Sequence, residues 1–164
     1  MDLTGYSRSA ESEYLTTVGL SATVEDAVRL VRRAMTLQYA NIVTSVREDA
    51  YVNARTSELK QVLVNLIKNA VESVEECERP GEVRVSAWMD DEGVHITVAD
   101  EGAGIPEGQG DVLFDPFFTT KAPGKGTGLG LNIVYRIVTK YRGTITGAND
   151  RSGGARFTLR FPKD

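Results

Sequence analysis

Asn65 and Asn69 lie one helical turn apart within an otherwise apolar helical pattern, and asparagine is a poor helix former. Two of them at this spacing imply work for their side-chain oxygens. Those oxygens suit Mg²⁺ or its waters beside a triphosphate, because Mg²⁺ takes oxygen ligands and keeps part of its water. A solvated polar face shared with Glu58 and Gln61 is the alternative. Asp100 ends an alternating strand pattern and precedes Glu101-Gly102-Ala103-Gly104, so a carboxylate stands at a strand tip where backbone can approach a flat ligand. It can accept a hydrogen bond from an exocyclic amine such as that of adenine, and a base offering a carbonyl there would leave it unpaired. A plain Asp-Gly turn is the simpler reading.

Gly126, Gly128 and Gly130 lead into another helical pattern, whose first amides and positive dipole end favour phosphate. A Walker loop would need Gly at 119 and Ser or Thr at 126, where this chain has Thr119 and Gly126, and no apolar strand precedes the turn as a dinucleotide fold requires. Lys121 and Lys125 add local positive charge, or are solvated loop lysines. Eight of the sixteen glycines fall between Gly102 and Gly130, which concentrates conformational freedom in one stretch. Glu101 to Thr127 carries no sustained period, so the expectation is an ATP site with a mobile lid. Phe114, Phe117 and Phe118, clustered around Pro116, would anchor that loop to the body. His95 reads as an ordinary surface residue.

These groups need a frame. Thr23 as N-cap and apolar residues at Val24, Ala27, Val28, Val31, Ala34 and Met35 predict a first helix. Asn41–Arg47 and Tyr51–Ala54 predict short strands. A second helix is expected over about Thr56–Glu78, with Leu59, Val62, Leu63, Leu66, Ile67, Ala70, Val71 and Val74 buried. Val83, Val85, Ala87 and Met89, then Val94, Ile96 and Val98 across Asp91-Glu92-Gly93, predict an antiparallel hairpin with one face in the core. A third helix over about Gly128–Tyr141, burying Leu131, Val134, Val138 and Tyr141, and strands at Gly143–Ala148 and Ala155–Phe161 complete the pattern. The fold class is α/β: a two-layer sandwich of about three helices on one face of a mixed, largely antiparallel sheet. Residues 1–20 read as a linker and 21–164 as the domain.

Composition sets outer bounds. The 164 residues are 41% hydrophobic and 26% charged, ordinary for one globular domain, and a net charge of −4 offers no general attraction to nucleic acid or anionic membranes. The single cysteine, Cys77, has no internal partner, which suggests a reducing compartment. No apolar run approaches the ~20 residues needed to cross a bilayer, and the first residues do not resemble a signal peptide. The expectation is a cytoplasmic domain without membrane contact, whether or not the full-length protein is membrane-anchored.

In order and spacing, these motifs resemble the catalytic, ATP-binding domain of sensor histidine kinases, within the superfamily of gyrase, the Hsp90 chaperones and the mismatch-repair ATPases. The resemblance covers roughly Thr23 to Lys163. The helix with Asn65 and Asn69 resembles the N box, Asp100–Gly104 the G1 box, Phe114–Lys121 the F box and Gly126–Gly130 the G2 box; the F-box segment points to the kinases rather than the topoisomerase or chaperone branches. The resemblance implies a Bergerat-type fold, ATP and Mg²⁺ as cofactors, Asn69 as metal ligand, Asn65 as its support and Asp100 as the adenine reader. Gly102, Gly104, Ile105, Phe117, Lys121, Lys125, Gly126, Thr127, Gly128, Leu129 and Gly130 would surround the nucleotide, with Asn65, Asn69 and Lys121 the catalytic set. Hydrolytic branches place a base-acting glutamate four residues before the metal-binding asparagine; this chain has Asn65, whose amide cannot take that proton, so transfer is favoured over hydrolysis.

Two departures stand out. Ala155 follows the paired glycines where the kinases often have threonine near adenine, and the phosphoacceptor histidine motif is absent. Asp2–Arg8 resembles the end of the second dimerisation helix, so residues 1–20 would join that remnant to the catalytic domain. The resemblance implies an isolated monomer whose partners are the dimerisation and histidine-phosphotransfer domain of the same kinase and, downstream, a response regulator, in a two-component phosphorelay. The rivals are a serine kinase of the anti-sigma type and a nucleotide-gated interaction module.

Overall fold

The computed structural model describes residues 15–108, 113–115, 130–151 and 153–163. They form β1 (Leu15–Gly19), α1 (Leu20–Ala34), β2 (Ala40–Val46), β3 (Tyr51–Arg55), α2 (Thr56–Glu76), β4 (Gly81–Asp90), β5 (Gly93–Asp100), α3 (Gly130–Lys140), β6 (Thr144–Asn149) and β7 (Ala155–Pro162). A five-stranded sheet runs β2-β4-β5-β7-β6, and β1 pairs with β3 in a separate two-stranded sheet. Within the larger sheet β2 and β4 are parallel, while the other three pairings are antiparallel. A parallel pair needs a long crossover; β3 and α2 supply it.

Strand alternation decides which side of the sheet is dry. Val83, Val85 and Ala87 on β4, Val94, Ile96 and Val98 on β5, and Phe157, Leu159 and Phe161 on β7 are all buried. Their neighbours Arg84, Trp88, Arg156 and Arg160 are exposed on the other face. The β4–β5 register sets Met89 opposite Val94 and Val83 opposite Asp100, as a hairpin closed at Asp91-Glu92 demands. His95, expected at the surface, is on the outer face but covered: it stacks on Trp88 with centroids 5.1 Å apart and bonds Asp90 at 3.0 Å.

α2 occupies the middle of the helical layer and touches α1, α3 and the sheet. Its buried stripe is Leu59, Val62, Leu63, Leu66, Ile67, Ala70, Val71 and Val74, the eight positions expected from helical periodicity. Each of the Leu, Ile and Val side chains among them contributes about 1.5–3 kcal/mol by leaving water. On α3 the buried set is Val134, Ile137 and Val138. Leu131 and Tyr141 are partly buried against the core, while Ile137 is a core position the sequence reading passed over.

The start of the fold differs from expectation for a tertiary reason. Helix α1 begins at Leu20 rather than at Thr23, because Leu20 is fully buried and its amide already has a partner in the Ala50 carbonyl at 3.0 Å. Thr23 is inside the helix and its hydroxyl donates back to Gly19 O at 2.8 Å. Leu15–Gly19, expected in the linker, is a strand that pairs antiparallel with β3 from Leu15↔Arg55 to Gly19↔Tyr51. The two predicted strands at 41–54 are both present, but β2 and β3 join different sheets.

One carboxylate fixes the approach to β2. Glu75 near the end of α2 accepts from the backbone amides of Gln38 at 3.0 Å and of Tyr39 and Ala40 at 2.7 Å each. Partial burial pushes its pKa up and these three donors push it further down, so it lies below the ordinary glutamate value of 4.5. A depressed carboxylate contributes stability above its unfolded value, and that contribution is lost as pH falls through the folded one. Glu75→Gln should therefore lower the melting temperature at neutral pH, and the gap from wild type should close as pH drops below 4.5 in a thermal-melt series.

Candidate functional site

Period-two alternation makes Asp100 share the core face of β5 with Val94, Ile96 and Val98, so its carboxylate points beneath the helices and is only 4% exposed. A charge buried there requires donors. They come from three separate segments: the Gly102 amide at 2.9 Å, the Ala155 amide at 3.4 Å and the Ser73 hydroxyl of α2. Burial nonetheless dominates, with the Asp150 charge adding to it, and pushes the Asp100 carboxyl above the ordinary aspartate value. These donors require close approach. A Cβ at Gly102 would overlap Ser73, and one at Gly154 would overlap the Asp100 carbonyl.

Asn65, Asn69 and Ser73 are spaced four apart and form one polar ladder along α2, covering about 12 Å at 1.5 Å per residue. One end of the ladder meets Asp100 through Ser73. At the other end the Asn65 amide donates to Gly130 O at 3.4 Å, which holds the first turn of α3 against α2. Half-buried Asn69 stands between them. The two asparagines are thus not a freely solvated face, and Glu58, one of the two polar residues grouped with them on that face, works elsewhere. It accepts from Tyr141 and from Lys140 at 3.1 Å, pinning the far end of α3 to the start of α2.

The loop after Asp100 is fixed by a residue that sequence reasoning missed. Asn149 on β6 accepts from the Ile105 amide at 2.6 Å and donates to the Ile105 carbonyl at 3.1 Å, so its side chain imitates a strand neighbour. Gly104, with φ of 83°, makes the turn between Asp100 and that clamp. Further on, Leu113 is buried, and Phe114 stacks on Tyr135 and meets Phe157 edge-on. Asn132 donates to Phe114 O at 2.9 Å. Phe114 thereby has the anchoring role expected of the aromatic cluster.

The structure brings together Asn65, Asn69, Asp100, Gly102, Gly104, Ile105 and Gly130. Phe117, Lys121, Lys125, Gly126, Thr127, Gly128 and Leu129 lie outside the described residues, as does Phe118. Ser73 carried a usable signal, since it continues the four-residue spacing of the asparagines. Asn149 carried none in the sequence, because its partner is 44 residues away. Among the described residues no group of three or more His, Cys, Asp or Glu is placed to hold a metal ion. A divalent cation here would take amide oxygen from the protein and the rest of its shell from ligand and water.

The buried carboxylate has consequences for stability without any ligand. Because the folded pKa of Asp100 is raised above 3.8, stability falls as pH climbs from 3.8 through the folded value, and the whole penalty is present above it. Asp100→Asn keeps an acceptor for Gly102 and Ala155, so it should melt higher than wild type at neutral pH, with the difference vanishing below pH 3.8. Gly154→Ala should cost about 2 kcal/mol, since the Asp100 backbone must move to admit the methyl group; a denaturant titration measures it.

A family model described as histidine kinase-, DNA gyrase B-, and HSP90-like ATPase matches residues 54–164. Sporulation kinase A of Bacillus subtilis (strain 168) is 38% identical over 95% of this chain and 25% of its own length. The signal transduction histidine-protein kinase AtoS of Escherichia coli (strain K12) is 36% identical over 96% of this chain and 25% of its own length. The chain therefore spans about a quarter of the curated relatives it matches. Among solved structures, a nucleotide-free form of the catalytic domain of histidine kinase ThkA aligns with a TM-score of 0.78 and 30% identity, over 92% of this chain and 96% of that one. The chain belongs to the histidine kinase-, DNA gyrase B- and HSP90-like ATPase family, and within it is the ATP-binding catalytic domain of a sensor histidine kinase.

Proposed function

We propose that the α2 ladder, Asp100 and the start of α3 form the site that binds Mg²⁺–ATP and presents its γ-phosphate to a histidine on a dimerisation domain, from which it passes to a response regulator. The observation that carries this reading is the ladder's two anchored ends. Ser73 meets a buried carboxylate suited to the adenine amine, and Asn65 meets the N-terminal turn of a helix suited to phosphate. Asn69, between them, offers a hard amide oxygen where the phosphates and the metal would lie. When bound, the ion neutralises phosphate charge.

Each residue's part follows from its chemistry. Asp100 discriminates adenine, since a base with a carbonyl at that point would strand a buried carboxylate. Ala155 contributes only its amide to Asp100, which any residue except proline can do, and the hydroxyl beside the base comes instead from Ser73. Asn65 cannot serve as a base for water, so the domain positions the triphosphate without hydrolysing it. Lys121 and Lys125 are the proposed phosphate contacts, with Phe117, Gly126, Thr127, Gly128 and Leu129 completing the enclosure. The domain acts in the cytoplasm; among the described residues no helix is long and apolar enough to cross a membrane.

Calorimetry with a nonhydrolysable ATP analogue tests the site. Binding should be tighter with Mg²⁺ than with chelator, Asn69→Ala should remove that metal dependence, and Asp100→Ala should weaken binding by roughly a hundredfold or more, as expected for loss of a buried, partnered group. Metal-independent binding, or full affinity in Asp100→Ala, would overturn the assignment. With ATP and a separately supplied dimerisation domain, the product should be acid-labile phosphohistidine, while phosphate release by the chain alone stays slow. Acid-stable phosphoserine on a small partner would favour the anti-sigma type, and binding without any transfer would favour the nucleotide-gated module.

A further inference from the structure

A second recess lies away from Asp100 and the α2 ladder. A groove of about 230 Å³ opens between the β1–β3 sheet, the C-terminal end of α3 and the end of β7. Lys140, Arg142 and Lys163 line it, and among the described residues no Asp or Glu does, although the chain as a whole carries a net charge of −4. Several exposed cations elsewhere sit beside carboxylates, as in Arg29–Asp26, Arg84–Glu82 and Arg156–Asp150, and others such as Arg32, Lys68 and Arg136 do not. Arg142 and Lys163 have no such partner among the described residues, and Lys140 is shared with Glu58 on α2. The cations therefore form a local positive site against the charge of the molecule.

Two further features belong to the same groove. Leu15 and Tyr51 are 64% and 38% exposed, two of the five large hydrophobic residues left to solvent among the described residues, and buried Phe161 lines the groove with them. Arg142, two residues past the end of α3, has φ of 61°, while the Gly143 amide bonds Val138 O at 2.9 Å in the six-to-one pattern that ends helices. Glycine is the usual occupant of that left-handed position, because a Cβ there is strained. An arginine is kept where glycine would be more stable, and its side chain lines the groove.

We propose that this groove is a docking site for an acidic polypeptide segment of a partner protein, which seats one apolar side chain over Leu15 and Tyr51 and sets carboxylates against Lys140, Arg142 and Lys163. The volume is below that of sites for drug-sized ligands, about 300–1,000 Å³, and suits one or two side chains. Three cations around an apolar floor match a mixed acidic and apolar peptide better than a polyphosphate or a lipid surface, which would leave Leu15 and Tyr51 uncovered. The groove shares no lining residue with Asp100 or the α2 ladder.

The test uses the whole chain and a fluorescein-labelled dodecapeptide of glutamates with one central tryptophan, read by anisotropy. Saturable binding at low salt should weaken as ionic strength rises, and Arg142→Glu, Lys163→Glu and Leu15→Ser should each weaken it by roughly fivefold or more. Arg142→Gly should weaken binding while raising the melting temperature, which separates loss of the site from loss of the fold. The same peptide with glutamine for glutamate should not bind. Affinity unchanged in Arg142→Gly, equal binding of the glutamine peptide, displacement by millimolar inorganic phosphate, or self-association abolished by Leu15→Ser in sedimentation would each overturn the proposal.

Discussion

The burial of one carboxylate at the inner end of β5 organises much of the rest. Asp100 cannot face solvent, because strand alternation commits it to the side that carries Val94, Ile96 and Val98. A carboxylate there would be prohibitive without donors, so α2, the loop at Gly102 and the start of β7 must all converge on it. Convergence in turn excludes side chains at Gly102 and Gly154. The glycines near Asp100 are thus consequences of where the acid lies. The arrangement also holds the domain below its attainable stability, since a neutral isostere would relieve the burial of charge.

Helix α2 couples this acid to everything else. One side of it carries eight buried apolar residues, and the other carries the ladder from Asn65 to Ser73. Because the two sides belong to one rigid helix, packing that fixes the core also fixes the spacing between Asp100 and the start of α3. α3 is held to α2 at both of its ends, by Asn65 at Gly130 and by Glu58 at Lys140 and Tyr141. Burial pushes Tyr141 up, as does its bond to Glu58, and keeps its hydroxyl protonated as the donor in that junction. Lys140 and Tyr141 also line the cationic groove, so the groove and the Asp100 site share one frame while remaining chemically separate.

What could be read from the sequence was whatever depends on local period. The α2 stripe, the β4–β5 hairpin with its register, and the inward direction of Asp100 all follow from residues within a turn or two of one another. Features set by distant partners left no such trace. The helix start at Leu20 depends on Ala50 O, the β2 approach depends on Glu75, and the Ile105 clamp depends on Asn149. Strand β1 was missed for the same reason: Leu15–Gly19 shows a burial pattern with only Val18 inside, and its pairing with β3 is invisible without the fold. Ser73 is the intermediate case, visible as a third rung but unremarkable until Asp100 is placed beside it.

Ala155 shows why a motif is better read by atoms than by letters. A threonine at this place in related kinases would bring a hydroxyl near adenine, so the alanine looks like a defect in the site. In this fold the residue's amide bonds Asp100, while its methyl group is packed away and only 5% exposed. A hydroxyl does stand beside Asp100, but it belongs to Ser73 and arrives from the helix instead of from the strand. An acid this deeply placed needs its donors to come from somewhere, and it matters less which element supplies them than that all of them reach one buried oxygen pair.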